Sequence, residues 1–199
     1  MLPIRITCLM VKLNKTESRK YFSKQRDKIS SSQLRNDSEK ICEILFTHFN
    51  VEGKTISIFL PIERKKEINT YNILKKAISL GALVSIPKAN FETLELTHYI
   101  FENADQLTIS SFGIPEPKHG KTIGAHKMNI ILVPLLAIDN KGYRVGYGKG
   151  FYDRFLKKTQ PQTVTIGVSL FEPIDQIIDV DSDDIPLQFC ITPRGIIRF

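Results

Sequence analysis

One uninterrupted apolar segment restricts the fold of this chain more than any other feature. Residues 129–134 read Asn-Ile-Ile-Leu-Val-Pro, with four branched aliphatic side chains in succession. Successive side chains of a β-strand point to opposite faces of its sheet, so this strand needs apolar cover on both faces. Helices on both sides of a mostly parallel sheet supply that cover. The segment therefore predicts an α/β fold in which residues 129–134 form a central strand.

Strand and helix patterns alternate along the rest of the chain. Helices are predicted over residues 14–29, 30–49 and 71–81. Strands are predicted over residues 55–60, 82–88, 94–100, 129–134, 163–168 and 191–192. Ligands of such sheets bind at the carboxyl ends of the strands. We therefore expect Glu67, Lys88 and residues 139–153, which all follow strands, to converge on one site.

Size and composition predict one domain over residues 1–199, with 42% hydrophobic and 25% charged residues. No apolar run approaches the roughly 20 residues of a membrane span, so no membrane partner is expected.

Residues 1–10 lack the small-residue cleavage site of a signal peptide, and residues 1–12 are interpreted as a flexible N-terminal extension. Either Met1 or Met10 then serves as the start. Cys42 and Cys190 lie among apolar neighbours, which predicts reduced thiols and a cytoplasmic protein.

The most specific chemistry lies in a glycine-rich stretch over residues 145–154. Glycines at three alternate positions permit positive φ and leave backbone N–H groups accessible to an anion. Aromatic and aliphatic residues then share one face, which predicts a helix whose N-terminus would favour phosphate. Lys149 adds a positive charge, and Asp153 is suited to a magnesium ion beside the phosphates. An ordinary tight turn before a surface helix is an equally good interpretation of the spacing alone.

Charge is a second indication of an anionic ligand. The net charge of +7 suits nucleic acid or a small polyanion, and does not distinguish between them. On the first predicted helix, Lys15, Arg19, Phe22 and Arg26 share one face because they are three or four residues apart. Periodicity alone favours a solvated surface for these cations. Composition alone likewise favours a solvated loop over residues 62–68.

The run from Gly142 to Arg154 resembles the signature of the 5-formyltetrahydrofolate cyclo-ligase family, also called 5,10-methenyltetrahydrofolate synthetases. Further landmarks follow the family's order, and the resemblance covers about residues 15–193. They are Lys15-x-x-x-Arg19, Glu67-Ile68-Asn69-Thr70, Phe112-Gly113-Ile114-Pro115-Glu116-Pro117 and Asp184-Ile185-Pro186-Leu187. The chain departs from the family where Ser18 replaces the usual leucine, where Ile138 replaces an aromatic residue, and at Gln188 and Pro193, where an aspartate and a glutamate are common.

The resemblance implies a three-layer, doubly wound, mostly parallel sheet of the NagB/RpiA/CoA transferase type. It implies an enzyme that converts 5-formyltetrahydrofolate, with or without a polyglutamate tail, to 5,10-methenyltetrahydrofolate. ATP is the co-substrate and Mg²⁺ the cofactor, and ADP and phosphate are released. ATP would phosphorylate the formyl oxygen, and a second folate nitrogen would then close the ring. A monomer without a nucleic-acid partner is expected.

The resemblance also assigns roles to residues of this chain. The implied catalytic residues are Lys149 and Arg144. The implied ATP-binding residues are Lys15, Arg19, Arg144, Val145, Gly146, Tyr147, Gly148, Lys149, Gly150, Phe151 and Tyr152. The implied folate-binding residues are Arg19, Leu60, Glu67, Phe112, Ile114, Tyr147, Phe151 and Tyr152. The implied magnesium ligands are Asp153 and Asp184.

Two other function classes remain open on the sequence. A non-catalytic RNA-binding module would use the positive charge and would bind with a steep salt dependence. A sugar-phosphate enzyme of similar α/β architecture would not need the pairs Lys15/Arg19 and Tyr152/Asp153 together.

Overall fold

The structure, a computed structural model, describes residues 9–199. Its helices are α1 (Lys15–Asp27), α2 (Ser31–His48), α3 (Tyr71–Ser79) and α4 (Phe151–Leu156). Its strands are β1 (Leu9–Leu13), β2 (Thr55–Ser57), β3 (Leu83–Asn90), β4 (Glu95–Ile100), β5 (Leu107–Ile109), β6 (Pro115–Pro117), β7 (Thr122–Ile123), β8 (Ile130–Pro134), β9 (Ala137–Ile138), β10 (Arg144–Val145), β11 (Val164–Val168), β12 (Ile174–Ile177), β13 (Phe189–Thr192) and β14 (Gly195–Arg198).

Eight strands form one large sheet in the order β14-β13-β11-β8-β2-β3-β4-β7. The five strands from β13 to β3 run parallel to one another. Only the outer strands β14, β4 and β7 pair antiparallel with their neighbours in this sheet. The predicted α/β fold with a mostly parallel sheet is therefore confirmed.

The central position of β8 is also confirmed, because each of its faces is covered. Ile130 and Leu132 pack in a core that includes Ile41 and Leu45 of α2. Ile131 and Val133 pack in a second core on the opposite face, together with Phe155, Leu156 and Cys190. The side chains alternate between the two cores as the pleat of a strand requires.

A third, smaller core lies under α1. Phe22 of α1 packs with Val145, Ile174 and Ile177. The helix begins where the sequence predicts, because Asn14 and Glu17 form a reciprocal capping box at its first turn. One face of α1 is thus fixed against the segment that leads into the glycine-rich stretch.

The predicted N-terminal extension does not hold for its last residues. Strand β1 pairs in parallel with β12, with Leu9 opposite Ile174 and Leu13 opposite Ile177. Residues 1–8 of the extension lie outside the described residues. The paired residues of β1 and β12 are 164 or 165 positions apart in the sequence. Such a distant pairing leaves no local pattern, so the sequence could not indicate this strand.

Two predicted strand boundaries also change. Strand β2 is three residues long and ends before residues 58–60, which are also buried. Strand β3 runs past Pro87 and Lys88 to Asn90 and turns back into β4.

None of the described helices combines the length and the apolar character that crossing a membrane requires.

The strand order determines where a ligand site is expected. The chain leaves β2 toward β3 on one side, and later returns to β8 on the other side of β2. Such a reversal of winding opens a crevice at the carboxyl ends of the two strands.

Candidate active site

A cleft of about 1120 Å³ lies at this crevice. Leu60 lines it just after β2, and Pro134 lines it at the end of β8. Ligand pockets usually span about 300–1,000 Å³, so the cleft is large enough for more than one small ligand.

The cleft brings together almost every residue that the sequence assigned to the site. Among its lining residues are Lys15, Arg19, Leu60, Glu67, Phe112, Ile114, Arg144, Gly146, Tyr147, Gly148, Lys149, Gly150, Phe151, Tyr152, Asp153 and Asp184. Val145 is the exception: its side chain is 1% exposed and packs in the core under α1. The predicted contact of Val145 with ATP could therefore be made only through its backbone.

The glycine-rich stretch forms the loop between β10 and α4. Gly148 and Gly150 have φ values of 86° and 65°, whereas Gly146 has no positive φ. A β-carbon on Gly148 would lie 3.1 Å from Cζ of Arg19, so the glycine also leaves room for that guanidinium. The following helix α4 has only six residues. Anion binding by this stretch would therefore depend on the backbone of the loop, because α4 is short.

The basic face of α1 is turned toward the protein and not to solvent, and its Lys15 and Arg19 line the cleft. Arg19 is half-buried, and its Nε donates to the carbonyl oxygen of Gly146 at 3.0 Å. Arg26 is 4% exposed. The interpretation of this face as a solvated surface is wrong, because α1 packs on the glycine-rich loop.

Arg144 and Asp153 form a partly buried ion pair. Nη2 of Arg144 donates to Oδ1 of Asp153 at 2.7 Å, and Nη1 donates to the carbonyl oxygen of Ile185 at 2.5 Å. The backbone N–H of Ile185 donates to the same Asp153 oxygen at 3.1 Å. Burial lowers the pKa of Arg144, and the nearby Asp153 opposes that effect. These bonds fix the carboxylate in the cleft through its Oδ1 atom.

Lys15 is held by two carboxylates of the acidic segment 179–184. Its Nζ lies 2.6 Å from Oδ2 of Asp184 and 3.0 Å from Oδ2 of Asp181. Burial alone would lower the pKa of Lys15, but the hydrogen bonds and charges of Asp184 and Asp181 outweigh it and raise that pKa. The first turn of α1 and the acidic segment thus close one side of the cleft together.

The donor set suits a magnesium ion that a nucleotide helps to hold. Among the described residues no three His, Cys, Asp or Glu side chains cluster in a way that could hold a metal ion. Asp153 and Asp184 nevertheless both line the cleft. Mg²⁺ commonly binds one or two carboxylates and takes its other ligands from water and substrate phosphates. Two carboxylates beside a basic cleft fit that requirement.

Glu67 lies in the connection between β2 and α3 and is 7% exposed. Its Oε2 accepts from the backbone N–H of Ile62 at 2.7 Å, and its Oε1 accepts from the Tyr147 hydroxyl at 2.5 Å. Each carboxylate oxygen has two lone pairs, so each retains one acceptor position.

The structure also shows lining residues that sequence reasoning missed. Phe91, at the turn between β3 and β4, stacks on Phe112 with ring centroids 4.0 Å apart and meets Phe151 edge-on at 5.2 Å. Lys65 places its Nζ 3.5 Å from the centre of the Tyr147 ring. Both residues line the cleft, so the loop over residues 62–68 is not merely solvated. An aromatic residue beside a turn is too weak a signal to have indicated Phe91.

Lys88 does not join the site. Pro87 and Ala89 line the cleft, so Lys88 between them points to the other face of the sheet. Its Nζ lies 4.0 Å from Oε1 of Glu116, whose pKa is raised by burial. The expected convergence of Lys88 with Glu67 is therefore wrong.

One buried polar atom in the cleft lacks a partner. The Tyr152 hydroxyl makes no hydrogen bond among the described residues. Burial raises the pKa of Tyr152, and the charge of Glu67 raises it further. The hydroxyl stays protonated, and its capacity for hydrogen bonding is unused among the described residues.

Comparisons with known proteins point to one family. A model of the 5-formyltetrahydrofolate cyclo-ligase family matches residues 11–193. A probable 5-formyltetrahydrofolate cyclo-ligase from Caenorhabditis elegans is 30% identical over 203 residues, covering 95% of this chain and 97% of that protein. A probable 5-formyltetrahydrofolate cyclo-ligase from Schizosaccharomyces pombe is 27% identical, covering 94% of this chain and 98% of that protein.

Solved structures show the same likeness. The NMR structure of Aquifex aeolicus 5,10-methenyltetrahydrofolate synthetase superposes with a TM-score of 0.77 at 29% identity, covering 92% of each chain. A 5,10-methenyltetrahydrofolate synthetase from Mycoplasma pneumoniae shares the fold, with a TM-score of 0.68 at 22% identity over 91% of this chain and 99% of that one. Because the family model spans residues 11–193 and relatives match nearly end to end, the chain belongs to the 5-formyltetrahydrofolate cyclo-ligase family.

Proposed function

We propose that this protein converts 5-formyltetrahydrofolate to 5,10-methenyltetrahydrofolate with ATP and Mg²⁺, releasing ADP and phosphate. The observation that carries the proposal is one cleft in which a buried carboxylate acceptor, Glu67, shares space with the cations Arg19 and Lys149 and the carboxylates Asp153 and Asp184. Membership of the family supports the same reaction.

The phosphate groups of ATP would lie against the glycine-rich loop. Lys149 is exposed in that loop and makes no ion pair among the described residues, so its charge is available to the γ-phosphate. Arg19 already reaches the loop through Gly146. Phosphoryl transfer depends mainly on positioning and charge stabilisation, so cations and backbone amides are the groups it needs.

Magnesium would be held by Asp153 and Asp184, with phosphate and water completing its ligands. Bound there, the ion would neutralise charge that develops on the transferring phosphoryl group. Arg144 would act next to it by keeping the Asp153 carboxylate in place. Lys15 is paired with Asp184, so its positive charge would lie close to the same nucleotide phosphates.

Folate would bind toward Glu67 and the aromatic side chains. The 2-amino-pyrimidinone edge of the pterin offers two N–H groups side by side, which match the remaining acceptor positions on the two Glu67 oxygens. Phe112, Phe151 and Tyr152 line the same cleft, and flat rings stack on such side chains.

The chemistry needs no protein nucleophile. The formyl oxygen of the substrate would attack the γ-phosphorus, forming a P–O bond as the bond to ADP breaks. The second folate nitrogen would then attack the activated formyl carbon and lose its proton, and phosphate would leave with that proton as the C–O bond breaks. Lys149 and Arg144 would stabilise negative charge in the first of these steps.

Finer assignments belong to the same proposal. The strand order and the helices on both faces support the NagB/RpiA/CoA transferase type of fold. Cys42 and Cys190 are free and buried, which supports a cytoplasmic location. We propose a monomer that takes folate with or without a polyglutamate tail and that has no nucleic-acid or membrane partner.

A spectrophotometric assay tests the function. Purified protein with 5-formyltetrahydrofolate, ATP and magnesium should form the near-ultraviolet-absorbing methenyl product, and omission of ATP or magnesium should abolish it. Circular dichroism on the same sample confirms that the protein is folded. A folded protein that gives no product above a control without enzyme contradicts the proposal. Salt-dependent binding of RNA without turnover would favour the RNA-binding alternative.

A further inference from the structure

Arg26 is a buried cation whose contacts lead to Glu67. Its Nη2 donates to the carbonyl oxygen of Leu135 at 2.9 Å, and its Nη1 donates to the Tyr147 hydroxyl oxygen at 3.2 Å. Nη1 also lies 3.9 Å from Oε1 of Glu67, too far for a hydrogen bond but close for two buried charges. Arg26 itself does not line the cleft. Its influence on a ligand would therefore pass through Glu67 and Tyr147.

The Tyr147 hydroxyl connects the two charges. Because its oxygen accepts from Arg26, its proton is directed to Oε1 of Glu67, 2.5 Å away. Glu67 must then act as an acceptor at that oxygen, and it also accepts from Ile62 at Oε2. The two donors, one on each oxygen, thus fix the orientation of the carboxylate.

The other charged and titratable groups that face Glu67 do not replace Arg26. Lys65 is partly exposed, and burial lowers its pKa while the charge of Glu67 opposes that effect. Tyr147 and Tyr152 are held neutral, since burial raises the pKa of both. Arg26 is therefore the one buried permanent positive charge among the described neighbours of Glu67.

We propose that Arg26 is a positioning residue of the folate site, which holds the Glu67 carboxylate oriented toward the pterin through Tyr147. The inference rests on the proposed function, because it takes Glu67 to be the pterin acceptor. A carboxylate that must accept two parallel N–H bonds tolerates little rotation. Arg26, on helix α1, restricts that rotation through its hydrogen bond to Tyr147.

The test compares Arg26→Met and Arg26→Lys with Lys20→Met, an exposed position on the same helix. Binding of 5-formyltetrahydrofolate and of ATP is measured separately by titration calorimetry. Arg26→Met should weaken folate binding by about 10- to 100-fold, the loss expected when one charge-assisted contact is removed. ATP affinity should change by less than about threefold. The folate affinity of Arg26→Lys should fall between those of wild type and Arg26→Met. Because Arg26→Lys keeps the charge, it also provides a test if Arg26→Met fails to fold.

A double-mutant cycle with Glu67→Gln completes the test. If Arg26 acts through Glu67, adding Arg26→Met to Glu67→Gln should cost less than about threefold further in folate affinity. The full loss on both backgrounds would show independent effects and overturn the inference. A folded wild type that binds no folate overturns the proposed function and the inference with it, whereas a wild type that binds, with Arg26 variants unchanged, overturns only the inference.

Discussion

Nη2 of Arg144 lies 2.7 Å from Oδ1 of Asp153, so the arginine expected at the phosphates is paired with the aspartate expected at the magnesium ion. The side chain of Arg144 is 6% exposed and that of Asp153 is 23% exposed. Removing the carboxylate would leave a buried cation without its partner, which is costly. We therefore expect Asp153 to have two separable effects, one on the stability of the fold and one on the binding of magnesium.

Asp153→Asn should lower both stability and catalysis. We expect a loss of about 1–3 kcal/mol in the free energy of unfolding, because a charged hydrogen bond to Arg144 becomes a neutral one. The magnesium concentration for half-maximal rate should rise as well. Urea unfolding and a magnesium titration of the rate measure the two effects.

Asp184→Asn should raise the magnesium requirement with a smaller loss of stability, since Lys15 keeps Asp181 as a partner. Asp105→Asn, at an exposed position outside the cleft, is the matched control. Asp181 is a poor control because it shares Lys15 with Asp184. If Asp184→Asn behaves like Asp105→Asn, the acidic segment is only structural.

Arg19→Ala should reduce ligand affinity while leaving the fold intact. Arg19 is half-buried at the cleft and bonds to one carbonyl oxygen, that of Gly146. Losing its charged contacts with a nucleotide should weaken ATP binding by about 10- to 100-fold. Lys20→Ala, the next residue but exposed, is the control. Equal losses from both variants would mean that the helix acts through general charge, as an RNA-binding module would.

Gly148→Ala should be more damaging than Gly146→Ala. Gly148 has a φ of 86°, and a β-carbon there would lie 3.1 Å from Cζ of Arg19, whereas a β-carbon on Gly146 would meet nothing within 4 Å. The left-handed conformation costs a non-glycine residue about 1–2 kcal/mol. Melting temperature and ATP affinity should both fall for Gly148→Ala. Unchanged values would show that the loop rearranges without cost.

The fold should lose stability in mild acid because of His98. This side chain is 1% exposed, its Nε2 pairs with Oγ of Ser57 at 2.9 Å, and its Nδ1 has no partner among the described residues. Burial lowers its pKa from 6.5 to about 3. Between those values the unfolded chain binds more protons than the native state, so the free energy of unfolding decreases as pH falls through about 6.5.

The slope from this one group should reach up to about 1.4 kcal/mol per pH unit. Urea unfolding between about pH 7.5 and 5.5, above the range where carboxylates dominate, measures it. His98→Gln should be less stable at neutral pH but should lack this slope, and exposed His119→Gln should retain it. A slope that persists in His98→Gln would assign it to another group.

Shortening the chain at its beginning should reveal the contribution of β1. A chain that starts at Met10 keeps the pairs of Lys12 with Gln176 and Leu13 with Ile177. It should melt close to the full chain. A chain that starts at Asn14 loses the strand and the packing of Val11 and Leu13, so it should melt several degrees lower. Equal melting temperatures for all three chains would mean that β1 adds nothing to stability.

Residues 129–134, together with the alternation of strand and helix patterns around them, determined the fold class. Four consecutive branched aliphatic residues have a stable place only where both faces of a strand are covered, and β8 has that cover. The clustering of Glu67, Asp153 and Asp184 was also predictable, because their local motifs resemble those of one family. In both cases the information lies within a few neighbouring residues.

Only the tertiary structure decided what depends on contacts between distant segments. Arg26 and Tyr147 are 121 positions apart, so periodicity could place Arg26 on a helical face but could not show that the face is buried. Val145 and Lys88 sit beside site residues in sequence, yet strand alternation turns both side chains away from the cleft. The sequence thus specified which residue types reach the site, and the strand register and helix packing determined which side chains face it.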